Sequence, residues 1–545
     1  MAKVSRLSDD VLMMIFKECF NDLTEDEPCV LHDALACLQD HSRPYRWIRL
    51  AHVCHHWRVI ILQMAVLWSK FVVGDLEFTR LFLTRSKTAP LSIKVPMRAQ
   101  RFPTHEVFDT FTRIRSIELD VKSIIDLDLE PLFPLQAPIL QRIVLRNHKA
   151  LQQKLEIIQL GKENLGDRPI PEVFDHCPLP SLTNLVIEGF TPDWQNHLFA
   201  PALTSLTVRF TSTNNYGYGS MFDALDQMQN LRLLDLTFKC ASLGWLTRQT
   251  RRVSLPKLED FALHDATESC AYLLERLEFP LTTTVYIYIP EGGRASPSLP
   301  SLLAIACSRL SAAGAPRILT VGLWDSLHFL GPRNHFAFWD QVVDTRVISS
   351  VQLVTKPLLH IEIRRSWDWV ALFTMGVSLG PVSDTHVLFI GSYIGYDDDP
   401  WELVKERMPK VHTLHFRPPD MGVLERLLVR DILHKSKRTN ETQQFFSGLH
   451  TLVIQEAKFR ALQSVPGLER GLSERKQSGR SIHTLELLDC EYISSYDVNS
   501  FRRHVDQVIW EKEEEPSDDE DGDNYDYAEE EYGTESSYQS SEQEI

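Results

Sequence analysis

Four residues near position 54 carry side chains that could bind a metal ion. They are His52, Cys54, His55 and His56, and imidazole and thiolate groups are the usual ligands of zinc. On a helix, residues 52 and 56 share a face whereas residue 54 does not, and no second pair of ligands follows nearby. We therefore expect no metal ion here, and no other cofactor.

The motifs that usually carry catalysis are missing from the sequence. It contains no nucleophile elbow, no dinucleotide-binding glycine fingerprint, no set of kinase motifs and no His-Glu-x-x-His. The glycine-containing loops at 214–220 and 290–297 lack the Lys and Ser or Thr of a phosphate-binding loop. We predict that the protein is not an enzyme and rank an enzyme of an unfamiliar family third among the alternatives.

The four possible ligands lie in the second of two short apolar segments. The first runs from Leu7 to Phe16, and Ser8 or Asp9 can cap it as a helix with apolar residues three and four apart. The second, residues 47–58, repeats that spacing, and residues 67–69 close the unit. Two short helices cannot bury so many large side chains between them. This spacing favours two interpretations equally: a surface for another protein, or a cap on a larger domain.

The order of these residues resembles the F-box, the helical module by which substrate receptors of SCF-type ubiquitin ligases bind the Skp adaptor. The family pattern opens Leu-Pro-x-Glu-(Leu/Ile)-Leu-x-x-Ile-Phe, continues with Val-Cys-(Arg/Lys)-x-Trp and ends near Leu-Trp. Ser8, Asp10 and His55 depart from it, and an insertion at about 21–45 separates its halves, as in large F-box families of mushroom-forming fungi. The matching residues are Leu7, Val11, Leu12, Ile15, Phe16, Val53, Cys54, Trp57, Leu67 and Trp68.

The resemblance assigns residues 5–72 to an F-box and its matching residues to adaptor binding, although Trp57 could instead hold the module together. Leu12, Ile15 and Phe16 share one predicted helical face and would be the main anchors. The resemblance also implies a cullin bound through the adaptor, and hence a substrate-recognition subunit of an SCF-type E3 ubiquitin ligase. An adaptor-binding scaffold protein without ubiquitin ligation is the main alternative.

A Leu-x-x-Leu-x-Leu motif recurs along the rest of the chain. Copies begin at residues 114, 140, 182, 203, 231, 258, 411, 449 and 482, and four of them are 21, 28 and 27 residues apart, within the leucine-rich-repeat range. No copy has the Asn or Cys that normally follows the strand. Each copy predicts a turn and a short strand that cannot bury its own apolar face, so the copies must stack.

We therefore predict an α/β fold in which residues 75–510 form an irregular leucine-rich-repeat-like solenoid with a curved parallel sheet. Consecutive copies should be parallel neighbours, with Leu185, Leu206, Leu234 and Leu263 buried. The middle is ambiguous, because strands fit at both 348–353 and 358–363. An unknown protein substrate would bind the outward residues between the leucines, such as Glu118, Thr207, Asp235, His415 and Glu486.

The net charge of −17 is concentrated at the end of the sequence. Residues 511–545 contain sixteen Asp or Glu and one Lys, so the remaining residues carry only about −2. A nearly neutral body has no basic field for nucleic acid, and we predict no nucleic-acid partner. The acidic, aliphatic-poor tail is predicted to be disordered. Within it, Ser517 and Ser541 resemble acid-directed kinase sites and are candidates for phosphorylation.

Cysteine usage and apolar runs predict the cellular environment. Nine cysteines occur singly, with no Cys-x-x-Cys pair, which fits reduced thiols. No apolar signal region opens the chain, and the longest apolar run, 59–68, is about half a membrane span. We predict a cytoplasmic or nuclear protein, or one found in both, that does not bind membranes.

Overall fold

A computed structural model describes most of the chain. The acidic tail, including Ser517 and Ser541, lies outside the described residues, as does most of the predicted insertion. The described residues are 7–24, 43–96, 106–107, 109–121, 136–147, 168–169, 177–209, 218–237, 251–290, 298–328, 331–344, 355–364, 369–391, 399–417, 424, 428, 446, 448–459 and 464–510.

Short helices build the described residues 7–24 and 43–68, which we call the helical unit. It contains α1 (Asp9–Thr24), a 3-10 helix (Arg43–His52), α2 (His55–Gln63) and a second 3-10 helix (Ala65–Trp68). Helix α1 extends four residues into the predicted insertion, which therefore begins later than expected. The first strand starts at Lys70, so the sheet begins inside the segment that the resemblance assigns to the F-box.

Most strands join one large sheet. Seventeen of the described strands form it, while β5 pairs only with β7 and β10 only with β12. The strands are β1 Lys70–Val72, β2 Leu91–Val95, β3 Ile114–Val121, β4 Arg142–Asn147, β5 Arg168–Pro169, β6 Asn184–Glu188, β7 Phe190–Thr191, β8 Ser205–Arg209, β9 Leu233–Thr237, β10 Val253–Ser254, β11 Asp260–His264, β12 Leu277–Glu278, β13 Thr284–Ile289, β14 Thr320–His328, β15 Gly331–Trp339, β16 Leu359–Arg364, β17 Val387–Gly391, β18 Thr413–Phe416, β19 Thr451–Gln455, β20 Thr484–Leu488 and β21 Gln507–Trp510.

The repeated motif forms parallel neighbours, as predicted. Leu185 of β6 lies opposite Leu206 of β8, which lies opposite Leu234 of β9, and Leu236 of β9 lies opposite Leu263 of β11. All five leucines are fully buried. The prediction of an α/β protein with a large, mostly parallel sheet is therefore confirmed.

One hairpin interrupts the order of the strands. Strand β16 pairs with β13, and β14 pairs with β17, while β15 runs antiparallel between β14 and β16. Of the two competing segments, residues 359–364 form the strand beside β13, whereas 348–353 lie outside the described residues. Among the described strands, the sheet is therefore mixed only at this hairpin.

Helices cover the leucine face of the sheet and share one hydrophobic core with it. This core is continuous with that of the helical unit, because Leu12, Phe16 and Trp68 belong to the same cluster as the strand leucines. Helical core residues include Leu225, Leu273, Leu303, Val377, Val404 and Leu468. The remaining described helices of four or more residues are α3 Leu76–Arg85, α4 Tyr218–Gln227, α5 Thr267–Arg276, α6 Leu299–Leu310, α7 Trp369–Leu379, α8 Asp399–Arg407, α9 Ser464–Gln477 and α10 Ser495–Phe501.

Helix α7 lies close against the hairpin at Gly376. A Cβ atom at this position would overlap the ring of Phe336 on β15. We expect Gly376→Ala to lower the free energy of unfolding by about 1–3 kcal/mol, because the overlap outweighs the better helix propensity of alanine. Urea denaturation measures this loss. In the control Gly448→Ala, the nearest atom is the Val411 carbonyl oxygen, 3.8 Å away. Equal losses in both variants would contradict the close packing.

Candidate functional site

Helix α1 divides the first five F-box-like residues between the core and the surface. Ser8 caps the helix, since its Oγ accepts a hydrogen bond from the Val11 N–H at 3.4 Å. Leu12 and Phe16 are 1% exposed, Val11 is half-buried, and Ile15 is 41% exposed. Leu7, before the helix, is also exposed. The predicted shared face is therefore split, with Leu12 and Phe16 facing inward and Ile15 facing solvent.

Helix α2 positions the central group of matching residues. Cys54 is exposed and caps the helix, because its Sγ accepts a hydrogen bond from the Trp57 N–H at 3.5 Å. Val53, just before it, is 60% exposed. The Trp57 ring packs edge-on against Phe16, with ring centroids 4.9 Å apart. Trp57 therefore joins the two helices, while Val53 and Cys54 remain at the surface.

The last two matching residues, Leu67 and Trp68, lie inside. The Trp68 indole N–H donates to the Ile61 carbonyl oxygen at 3.0 Å, and its ring lies 5.1 Å from those of Trp47 and Phe82. Phe82 belongs to α3, so Trp68 ties the helical unit to the rest of the fold. The F-box-like pattern omits Trp47, although the tryptophan is among the largest fully buried residues. The position of Trp47 at the start of the second apolar segment was the sequence feature that could have predicted its burial.

An exposed apolar stripe runs beside the buried face of α1. Val11, Met14 and Ile15 are three and four residues apart and so share one side of the helix. Met14 is 65% exposed. Fifteen large apolar side chains are exposed in the described residues, and seven of them lie between Leu7 and Trp68. That segment contains only roughly an eighth of the described residues. Such a concentration is typical of a surface that another protein covers.

The possible metal ligands do not converge. His52, Cys54, His55 and His56 are all exposed, and the Nε2 atom of His56 lies 3.0 Å from Oδ1 of Asp9. Within the described ranges, no three or more His, Cys, Asp or Glu side chains are arranged to hold a metal ion.

Ionic side chains alternate across the other face of the sheet. We call the series Lys94, Glu118, Arg146, Glu188, Arg209 and Asp235 the ion-pair ladder. Arg146 Nε lies 2.9 Å from Glu188, and Arg209 lies 2.9 Å from Glu188 and 2.6 Å from Asp235. Burial alone would lower the pKa of Arg146, but the carboxylates of Glu118 and Glu188 outweigh it and raise that pKa. The three cations and three carboxylates of the ladder thus balance one another.

Beyond the ladder, the same face carries buried aromatic and ionisable side chains. Glu362 is fully buried and contacts the guanidinium of Arg333 and the hydroxyl of Tyr286, which donates to it. Burial, followed by the charge of Glu362, raises the pKa of Tyr286 well above its usual value. A ring nitrogen of His335 lies 3.1 Å from one of His360, and Trp324 stacks on both imidazoles. These groups hold the antiparallel hairpin in the sheet.

The expectation of an open recognition surface between the leucines is wrong for several positions. Thr207, Asp235 and His415 are buried, while Glu118 and Glu486 are half-buried. The physical reason at Asp235 is its ion pair with Arg209 of the neighbouring strand, which no local pattern reveals.

No protein-family model matches the chain, and no curated protein matches it. Separately, none of the helices in the described ranges is long and apolar enough to cross a bilayer.

Proposed function

We propose that this chain is the substrate-recognition subunit of an SCF-type ubiquitin ligase. In this proposal the helical unit is an F-box that binds the Skp adaptor, a cullin joins through the adaptor, and a leucine-rich-repeat-like solenoid presents a protein substrate. The observation that carries the proposal is the apolar stripe on α1, in which Met14 and Ile15 are exposed and Val11 is half-buried.

The two groups of F-box-like residues support the proposal in different ways. Leu12, Phe16, Leu67 and Trp68 build a rigid interior, while residues at the surface supply apolar area for a partner. The buried centre of an interface is more apolar than its rim, and a few central residues contribute most of the binding energy. Ile15 has the geometry of such an anchor, because it is exposed while its helix is fixed by the core beneath it.

The arrangement of the strands supports the solenoid part of the proposal. Parallel strands follow each other in chain order on both sides of the hairpin, and one unit alone could not bury its leucines. Substrate binding itself rests on architecture, since many functions share such folds.

A single surface substitution tests adaptor binding. We expect Ile15→Asp to weaken binding to purified Skp adaptor by roughly thirtyfold or more, the equivalent of losing a 2 kcal/mol anchor. The matched control is Leu81→Asp on α3, because Leu81 is exposed to the same extent, 41%, outside the helical unit. Calorimetric titration measures both affinities. Wild-type affinity in Ile15→Asp, or an equal loss in the control, would contradict the assignment of this surface.

A pull-down of the full chain followed by mass spectrometry separates the alternatives. Recovery of both adaptor and cullin supports the ubiquitin-ligase subunit. Adaptor without cullin supports the scaffold protein instead. Recovery of neither contradicts the F-box assignment and the proposal with it.

A further inference from the structure

Four histidines each stand immediately before one of four consecutive strands. His386, His412, His450 and His483 immediately precede β17, β18, β19 and β20, and we call them the histidine column. Each of the last three donates its backbone N–H to the carbonyl oxygen of the preceding histidine, at 3.0, 2.8 and 2.9 Å. The hydrogen bonds of the sheet therefore fix these residues side by side.

The imidazole rings follow the same spacing as the strands. Ring centroids are 5.1 Å apart between His386 and His412, 6.5 Å between His412 and His450, and 5.3 Å between His450 and His483. Like charges directly opposite each other on neighbouring strands destabilise their pairing. Neutral imidazole rings do not repel one another in this way, whereas imidazolium ions at these distances would.

Among the described residues, carboxylates lie near the two ends of the column. Asp506 Oδ2 is 2.5 Å from Nδ1 of His483. Near His386, Asp384 forms an ion pair with Lys410 and lies 3.9 Å from Arg317. The hydrogen bond from Lys410 is the main cause that lowers the pKa of Asp384. Both ends of the column therefore have an acidic side chain nearby.

The middle of the column has the opposite environment. Nδ1 of His412 lies 3.1 Å from the Thr413 hydroxyl, and both electrostatic neighbours that act on His412 are imidazoles. Burial, followed by His386 and His450, lowers the pKa of His412. A charge on His412 would therefore be opposed by any charge on the two imidazoles beside it.

We propose that the histidine column is an acid-sensitive joint, at which protonation loosens the pairing of β17–β20 while earlier strands stay paired. The unfolded chain binds a proton at His412 near the ordinary pKa of about 6.5, more readily than the folded chain does. Stability contributed by the neutral column is therefore present above pH 6.5 and is lost as the pH falls toward the lowered folded pKa.

The same chain contains a matched internal control. Thr183 and Thr204 precede β6 and β8 at the equivalent position, and Thr204 donates its N–H to the Thr183 carbonyl oxygen at 2.8 Å. Threonine does not titrate, so acidification adds no charge there. Residues 184–188 and 205–209 can thus be compared directly with 413–416 and 451–455.

Hydrogen exchange of the full chain, followed by mass spectrometry, tests the joint. Between pH 7.4 and 5.5, and after correction for intrinsic exchange rates, we expect exchange in 413–416 and 451–455 to rise roughly threefold or more, because protonation is less favourable in the folded chain. Exchange in 184–188 and 205–209 should change little. In the double variant His412→Gln and His450→Gln, the rise should largely disappear.

Two results would overturn the proposal. The first is an equal rise in the control strands, which would indicate general acid unfolding. The second is an unchanged rise in the double variant, with protection at pH 7.4 showing that it is folded. Because residues 451–455 and 205–209 contain no histidine of their own, their comparison in the wild-type chain decides the question even if the variant does not fold.

Discussion

We expect Arg333→Met to lower the free energy of unfolding by about 3–5 kcal/mol, because it leaves a buried carboxylate without its cation. Glu362 is 0% exposed, and Arg333 is 4% exposed. Methionine keeps the length of the side chain and removes its charge. Chemical denaturation at neutral pH, fitted with a common m-value, measures the loss.

A double-mutant cycle separates this ion pair from general packing. Glu362→Gln alone keeps the shape of the side chain and removes its charge. When both substitutions are combined, the total loss should be smaller than the sum of the single losses, because no unpaired charge remains. Additive losses would show that Arg333 and Glu362 stabilise the hairpin independently of each other.

Leu12→Ala combined with Phe16→Ala should unfold the helical unit. Each is a core truncation, with typical losses of about 2–5 kcal/mol for leucine and 3–5 kcal/mol for phenylalanine, so the pair costs roughly 5 kcal/mol or more. Hydrogen exchange of residues 9–20 and 55–63 measures the loss of protection. Ile15→Ala is the control, since its exposed side chain should cost less than about 1 kcal/mol.

The double substitution also removes any adaptor binding, but by removing the fold that carries the surface. Retained protection in α1 and α2 would contradict the interior positions of Leu12 and Phe16. Loss of binding in a folded Ile15→Asp variant, by contrast, reports on the surface alone. The two variants therefore separate a supporting role from a contacting role.

The strands were predictable because local spacing determines which residues they bury. Leu206 and Leu234 follow the two-residue period of a strand, and a repeated unit must bury this face against its neighbours. The order of β14, β15 and β16 was not predictable in this way. It depends on contacts distant in sequence, such as Tyr286 with Glu362, and apolar spacing does not distinguish parallel from antiparallel neighbours.

The surface was only partly predictable for a similar reason. Spacing places Leu12, Ile15 and Phe16 on one side of α1, yet the boundary between core and solvent runs through that side. The position of this boundary depends on Trp57 and Trp47, which come later in the chain and pack against Phe16 and Phe20 of α1. The burial of Asp235 likewise requires Arg209 on another strand.

Strand β13 pairs with β16 rather than with the next strand in the chain, and this order matters while the ribosome synthesises the protein. Strand β13 ends at Ile289, but its neighbour β16 begins only at Leu359, after the strands of the hairpin have been made. At a chain-elongation rate of about 5–20 residues per second, the edge of β13 stays unpaired for roughly 4–14 seconds before β16 is made. An open strand edge can pair with other chains. The speed of the ribosome over these seventy codons therefore sets how long each nascent chain is vulnerable to aggregation.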